Sequence, residues 1–97
     1  MPQSRWQQRV FEDVLKERRY QERKWGRQVD DNTPWMWCAY LTSYATKWMK
    51  NPHRWTRDDT EEFYDRMIQT SAIAAAAAES VLRQRELNGK TFYESEV

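Results

Sequence analysis

Residues 59–87, DTEEFYDRMIQTSAIAAAAAESVLRQREL, contain neither Gly nor Pro, and within them Phe63, Met67, Thr70, Ser71, Ala74, Ala78, Val81, Leu82 and Arg85 keep helical spacing. The spacing predicts one long helix. It opens near Asp59 or Thr60, with acids where the macrodipole favours them, and closes at Asn88-Gly89. About 28 residues at 1.5 Å each make a rod of roughly 42 Å, whereas a compact domain of about 100 residues is only about 33 Å across. The rod overhangs its own domain, and a second copy of the chain is the simplest cover. Ala72 and Ala74 to Ala78 leave small side chains on every face of two turns. Such a helix is either a buried strut of high helix propensity or a rod held between its own subunit and a partner's.

Moving towards the N-terminus, Asn51-Pro52 ends a second helix that Thr33-Pro34 begins, with Thr as cap and Pro in the first turn. Cys38, Leu41, Ala45 and Trp48 make its stripe, and Cys38 is expected to be buried there. The first helix starts at Ser4 with Gln7 three residues on, a capping-box spacing. Its apolar stripe is Trp6, Val10, Phe11, Val14 and Leu15; the segment beyond Leu15 reads as too polar to be buried, and Trp25-Gly26 ends it. The fold class is therefore all-α. It is expected to be a three-helix bundle with a long Ala-rich third helix, completed by homo-oligomerisation through that helix. Residues 1–97 form one domain, with helices at about 5–25, 34–50 and 59–87 and a short C-terminal tail.

Composition narrows the function. The chain has 97 residues, 32% charged and 14% aromatic, with six Trp, and is expected to fold around a few large rings. No apolar run reaches the roughly 18 residues of a membrane span, so a cytoplasmic protein is expected. One Cys and one His cannot build an intrachain disulfide or a tetrahedral Cys/His zinc site. As a nucleophile–base pair, Cys38 and His53 are a weak signal. The net charge of +1 conceals blocks of +4 over residues 1–27, +2 over 28–57 and −5 over 58–97. That balance argues against bulk nucleic-acid binding and suggests that the first and last thirds face one another.

The string Glu17-Arg18-Arg19-Tyr20-Gln21-Glu22-Arg23-Lys24-Trp25-Gly26 resembles the opening signature, E-R-x-x-Q-x-x-K-W-G, of the phage-associated branch of the MazG-like all-α NTP pyrophosphohydrolases. Asp30-Asp31, then Trp35 and Trp37, then Met67-Ile68-Gln69 leading into Ala72 to Glu79 follow in that branch's order, so the resemblance covers roughly residues 11–85. It implies the fold and, for a phage protein, the host cytoplasm. The superfamily's chemistry implies paired carboxylates holding Mg²⁺ on the second and third helices. The matching positions here are Ser43, Tyr44 and Lys47, then Arg66 and Gln69, and none is acidic. Glu62 and Asp65 have helical spacing but no acidic partner on the second helix, and read as a solvated helix start. The resemblance therefore implies the fold without the family's metal-dependent hydrolysis, and no cofactor or catalytic residue is assigned.

What remains is a binding function. Arginine binds phosphate bidentately and aromatic faces stack bases, and the stretch Arg18 to Arg27 interleaves such cations with Tyr20 and Trp25. Its alternative reading is a solvated face of i, i+4 ion pairs. With Lys47 and Arg66 replacing metal ligands, the groove between the second and third helices is expected to be positive and to grip a nucleotide's phosphates directly. The expected ligand residues are Arg19, Arg23, Lys24, Trp25, Tyr44, Lys47, Arg66 and Gln69. The rival readings are an interaction module whose Trp-rich surface docks on a host enzyme, with some of Trp35, Trp37, Trp48 and Trp55 exposed, and an Mg²⁺-dependent pyrophosphohydrolase using other acids.

Overall fold

The computed structural model describes residues 4–26, 32–46 and 55–89. Within them lie three helices, α1 (Arg5–Trp25), α2 (Pro34–Thr46) and α3 (Arg57–Asn88), and no strand. The expected extension of α2 to residue 50, Trp48, His53 and the C-terminal tail lie outside the described residues.

The helix ends follow local chemistry. Ser4 and Gln7 form the anticipated capping box: the Ser4 hydroxyl accepts from the Gln7 amide at 3.1 Å, and the Gln7 side chain accepts from the Ser4 amide at 3.2 Å. Thr33 caps α2 by accepting from the Met36 amide at 3.3 Å. The start of α3 differs from the expected Asp59 or Thr60. Thr56 is its cap, and Thr56 and Asp59 satisfy each other's backbone N–H at 3.2 and 2.8 Å. A Thr-x-x-Asp box outcompetes a bare Asp because it serves two orphan donors at once. Trp55, just before the cap, donates its indole N–H to Thr60 and meets Phe63 edge-on, fixing the entry of the chain. Gly89 ends α3 at φ 75°, a left-handed conformation that costs glycine nothing.

The helix α3 is the strut. Both α1 and α2 pack on it, while the α1 and α2 backbones stay apart. The α2–α3 seam is apolar, with Trp37 buried against Ile73 and Ala76, and Leu41, Tyr44, Ala77 and the α1 ring of Trp25 around them. The buried side of α3 is Ile68, Ala72, Ile73, Ala76, Ser80 and Gln84. Ser71, Ala74, Ala78 and Leu82 of the series that marks its helical register lie exposed instead. Alanine on every side leaves the rotation of the helix undecided, and Ile68 and Ile73 decide it by offering the larger side chains to bury. Close approach from more than one side, which the alanines permit, is used within the chain by α1 and α2.

Two further expectations are overturned. Cys38 is exposed rather than buried, because α2 turns Trp37, Leu41 and Tyr44 to the strut. The α1 segment beyond Leu15 is not wholly solvated, since Arg18 and Gln21 are its buried residues. Arg18 pairs with Glu79 of α3, and Gln21 donates to the Gln69 carbonyl at 3.3 Å. A buried guanidinium survives there because a carboxylate meets it.

The molecule measures 52 × 35 × 26 Å, with a radius of gyration of 16.1 Å. A compact chain of this length would have about 12.5 Å. The long strut stretches the fold.

Candidate functional site: the α1–α3 cleft

At about 100° per residue, Arg9, Asp13, Lys16, Tyr20 and Arg23 recur at steps of four, three, four and three and form a polar ridge along α1. This ridge, with Glu17, faces Tyr64, Asp65, Ile68 and Gln69 of α3 across a cleft of about 570 Å³. Its charge is balanced, with Arg9, Lys16 and Arg23 against Asp13, Glu17 and Asp65.

One end of the cleft is already tied. Asp13 accepts from the Tyr64 hydroxyl and from Arg9 Nε at 3.0 Å. The Tyr64 hydrogen bond, then that of Arg9, holds the Asp13 carboxyl below the usual carboxylate value. The same bond to Asp13 holds the Tyr64 phenol above its ordinary value, and Asp13 likewise raises the Arg9 guanidinium. At the other side Gln69 accepts from Arg66 at 2.8 Å. Arg23, exposed on the cleft wall, has no ion pair with a described acid. The cleft thus offers a neutralised cluster at Arg9–Asp13–Tyr64, and beyond it an exposed Arg23 with the ring of Tyr20.

The residues expected to bind ligand separate into groups. Arg23 and Gln69 line this cleft, and Arg66 adjoins it through Gln69. Trp25 and Tyr44 are half-buried around the α2–α3 core, with the Lys24 ammonium 5.8 Å above the Trp25 ring. Arg19 is exposed on α1 and is not part of the cleft wall. Lys47 lies outside the described residues. The α2–α3 seam, where a positive groove is expected, is closed by apolar side chains, and Pro34–Thr46 carries no charge at all. Arg9, Asp13, Lys16 and Tyr64 of the cleft are additions. The signal that would have found the first three is the polar stripe itself, a second helical period running beside the apolar one.

The metal that the sequence resemblance implies finds no fitting donor set here. Ser43, Tyr44, Arg66 and Gln69 supply no carboxylate, and among the described residues no three His, Cys, Asp or Glu side chains are grouped to hold an ion. No family model matches the chain, no curated protein matches it, and no solved structure matches it.

Proposed function

We propose that the chain is a non-catalytic binding protein that captures a small nucleotide-like phosphate ligand in the α1–α3 cleft. What carries this reading is the cleft itself. Its volume of about 570 Å³ suits a small organic ligand, and it pairs cations with the rings of Tyr20 and Tyr64. Arg23 would grip phosphate oxygens and Tyr20 would stack a base, with Lys16 adding charge. With as many acids as cations in the wall, the cleft gives a highly charged polyphosphate little net attraction, so a ligand of low charge, such as a cyclic or mono-anionic phosphodiester, suits it better. The resemblance of residues 17–26 to the MazG-like phage branch belongs to the same proposal. A phage protein that sequesters a nucleotide signal of host defence, in the host cytoplasm and as a homo-oligomer, would work in this way.

A thermal-shift panel of mono-, di-, tri- and cyclic nucleotides, with and without Mg²⁺, tests the reading. Binding raises the melting temperature as ligand exceeds its dissociation constant. Stabilisation by a nucleotide of low charge, independent of Mg²⁺ and lost in Arg23→Glu, is the expected result. Stabilisation that survives Arg23→Glu, or none across the panel, would refute the site. Pyrophosphate release in the presence of Mg²⁺ would replace binding by hydrolysis.

A further inference from the structure

The cleft wall holds three acids, and two of them are engaged within the fold. Asp13 is tied to Tyr64 and Arg9, and Glu17 accepts from the Gln21 amide. The third, Asp65, stands exposed on the wall with neither a hydrogen bond nor an ion pair to a described residue. A carboxylate repels phosphate at short range. Its place in a phosphate-binding cleft is intelligible if it meets another part of the same ligand, one that donates hydrogen bonds.

One turn further along α3, Gln69 lines the same wall. Residues four apart on a helix share a face, with Cβ atoms about 5–6 Å apart, so Asp65 and Gln69 meet one edge of a ring lying in the cleft along α3. The orientation of the Gln69 amide is settled by its neighbour. Arg66 has only donors, and it donates to Gln69 Oε1 at 2.8 Å, so the amide oxygen must face it. Gln69 Nε2 makes no hydrogen bond with a described residue and is left as a donor. The backbone beneath is held too, since buried Gln21 donates to the Gln69 carbonyl at 3.3 Å. Ile68, buried in the same wall, adds an apolar surface on which a flat ring can rest.

We infer that Asp65 and Gln69 read the Watson–Crick edge of the ligand's base, and that the base they select is guanine. The inference rests on the binding cleft proposed above and names the class of nucleotide it takes. Gln69 offers one donor and the Asp65 carboxylate two acceptors. Guanine presents the complement, the acceptor O6 followed by the donors N1–H and N2–H. Along the same edge adenine, cytosine and uracil each carry a single donor, which leaves one carboxylate oxygen unmatched or set against a lone pair. Desolvating a polar group without a partner costs more than a made bond returns, so the mismatch discriminates among bases that stack alike on Tyr20. Arg23 then holds the phosphodiester at the other end of the ligand. The acid and the cation of the cleft serve opposite ends of one molecule.

Calorimetric titration of the full chain with the cyclic 3′,5′-monophosphates of guanosine, inosine, adenosine, cytidine and uridine tests this. Inosine keeps O6 and N1–H and lacks only the amino group at C2. A good bidentate contact to a base discriminates by about 5- to 150-fold, and the exposure of Asp65 places it at the low end. Cyclic GMP should therefore bind at least about fivefold more tightly than cyclic IMP and than each of the other three. Asp65→Asn turns one acceptor into a donor and should erase that preference, with circular dichroism confirming that the helices persist. The comparison of cyclic GMP with cyclic IMP alters the ligand and not the protein, so it decides the matter even where the variant unfolds. Equal affinity for all five nucleotides, abolished by Arg23→Glu, overturns the base reading and leaves the cleft standing. A preference for another base does the same, as does a guanine preference that survives Asp65→Asn. Binding of none of the five overturns both.

Discussion

At the scale of single residues, the contact between α1 and α3 is held by polar groups in places where hydrocarbon would ordinarily sit. Arg18 is buried, its partner Glu79 is about half exposed, and Glu22 lies at the 4.0 Å limit of a second pair. The two ends of this ion pair are therefore unequal. Removing Glu79 leaves a buried guanidinium short of its main counter-charge, whereas removing Arg18 leaves a carboxylate that water can reach. Discounted for Glu79's exposure, Glu79→Ala should cost about 2 kcal/mol. Arg18→Met keeps the stem and deletes the charge, and should cost less than about 1 kcal/mol. Urea unfolding of both variants checks the order, and a larger loss in Arg18→Met would refute the asymmetry. The Asp13–Tyr64 bond makes a second, pH-dependent tie. The folded Asp13 pKa is depressed, so its contribution is present above the unfolded value near 3.9 and fades as pH falls through the lower folded one. The folded Tyr64 pKa is raised, so its contribution is present below about pH 10 and fades as pH climbs through the higher folded value. Tyr64→Phe should move the Asp13 carboxyl midpoint upward in an NMR titration; an unmoved midpoint would mean that the bond does not form in solution.

At the scale of elements, legibility followed the strength of local signals. The helix α1 was readable at both ends because Ser4–Gln7 and Gly26 are strong stop and start chemistry, and the close of α3 was readable at Gly89 for the same reason. The start of α3 was misplaced by two or three residues because Thr56 follows a Trp, and that Trp is part of the entry rather than of the preceding connector. Rotation about the helix axis was much less legible than helix position. In α3 five consecutive alanines from Ala74 to Ala78 give no side a decisive hydrophobic advantage. In α1 Trp6, Phe11 and Leu15 of the apolar stripe are exposed while Arg18 and Gln21 are buried, an order that no hydropathy pattern foretells. Of the residues expected to bind ligand, Arg23 and Gln69 line the cleft, Arg23 expected as a cation beside aromatic rings and Gln69 from the resemblance's third-helix position. Arg9, Lys16 and Tyr64 were not expected, because which helices flank the cleft is a tertiary fact: a groove was expected beside α2, and α2 proves to be sealed there by Trp37, Leu41 and Tyr44.

At the scale of the whole molecule, exposed area bears on the proposed homo-oligomer. The chain exposes 7963 Å², against about 6,000 Å² for a compact monomer of 11.9 kDa. The buried apolar set among the described residues is Trp37, Ile68, Ala72, Ile73 and Ala76, of which two are alanines. So few buried groups leave the isolated fold marginal, because ordering each residue costs about 1–2 kcal/mol of backbone entropy while a fully buried Ile returns only about 1.5–3 kcal/mol. In the proposed homo-oligomer, burying exposed rings such as Trp6, Phe11 and Trp35 between copies would add to this core, and stability would then depend on protein concentration. The melting temperature should accordingly rise by several degrees between about 1 and 100 µM protein. Phe11→Asp should abolish this dependence and lower the melting temperature at the high concentration to that of the dilute wild type. A wild-type midpoint constant over that range would show that the three helices are stable without a second copy, and that their bare aromatic faces contribute nothing to folding.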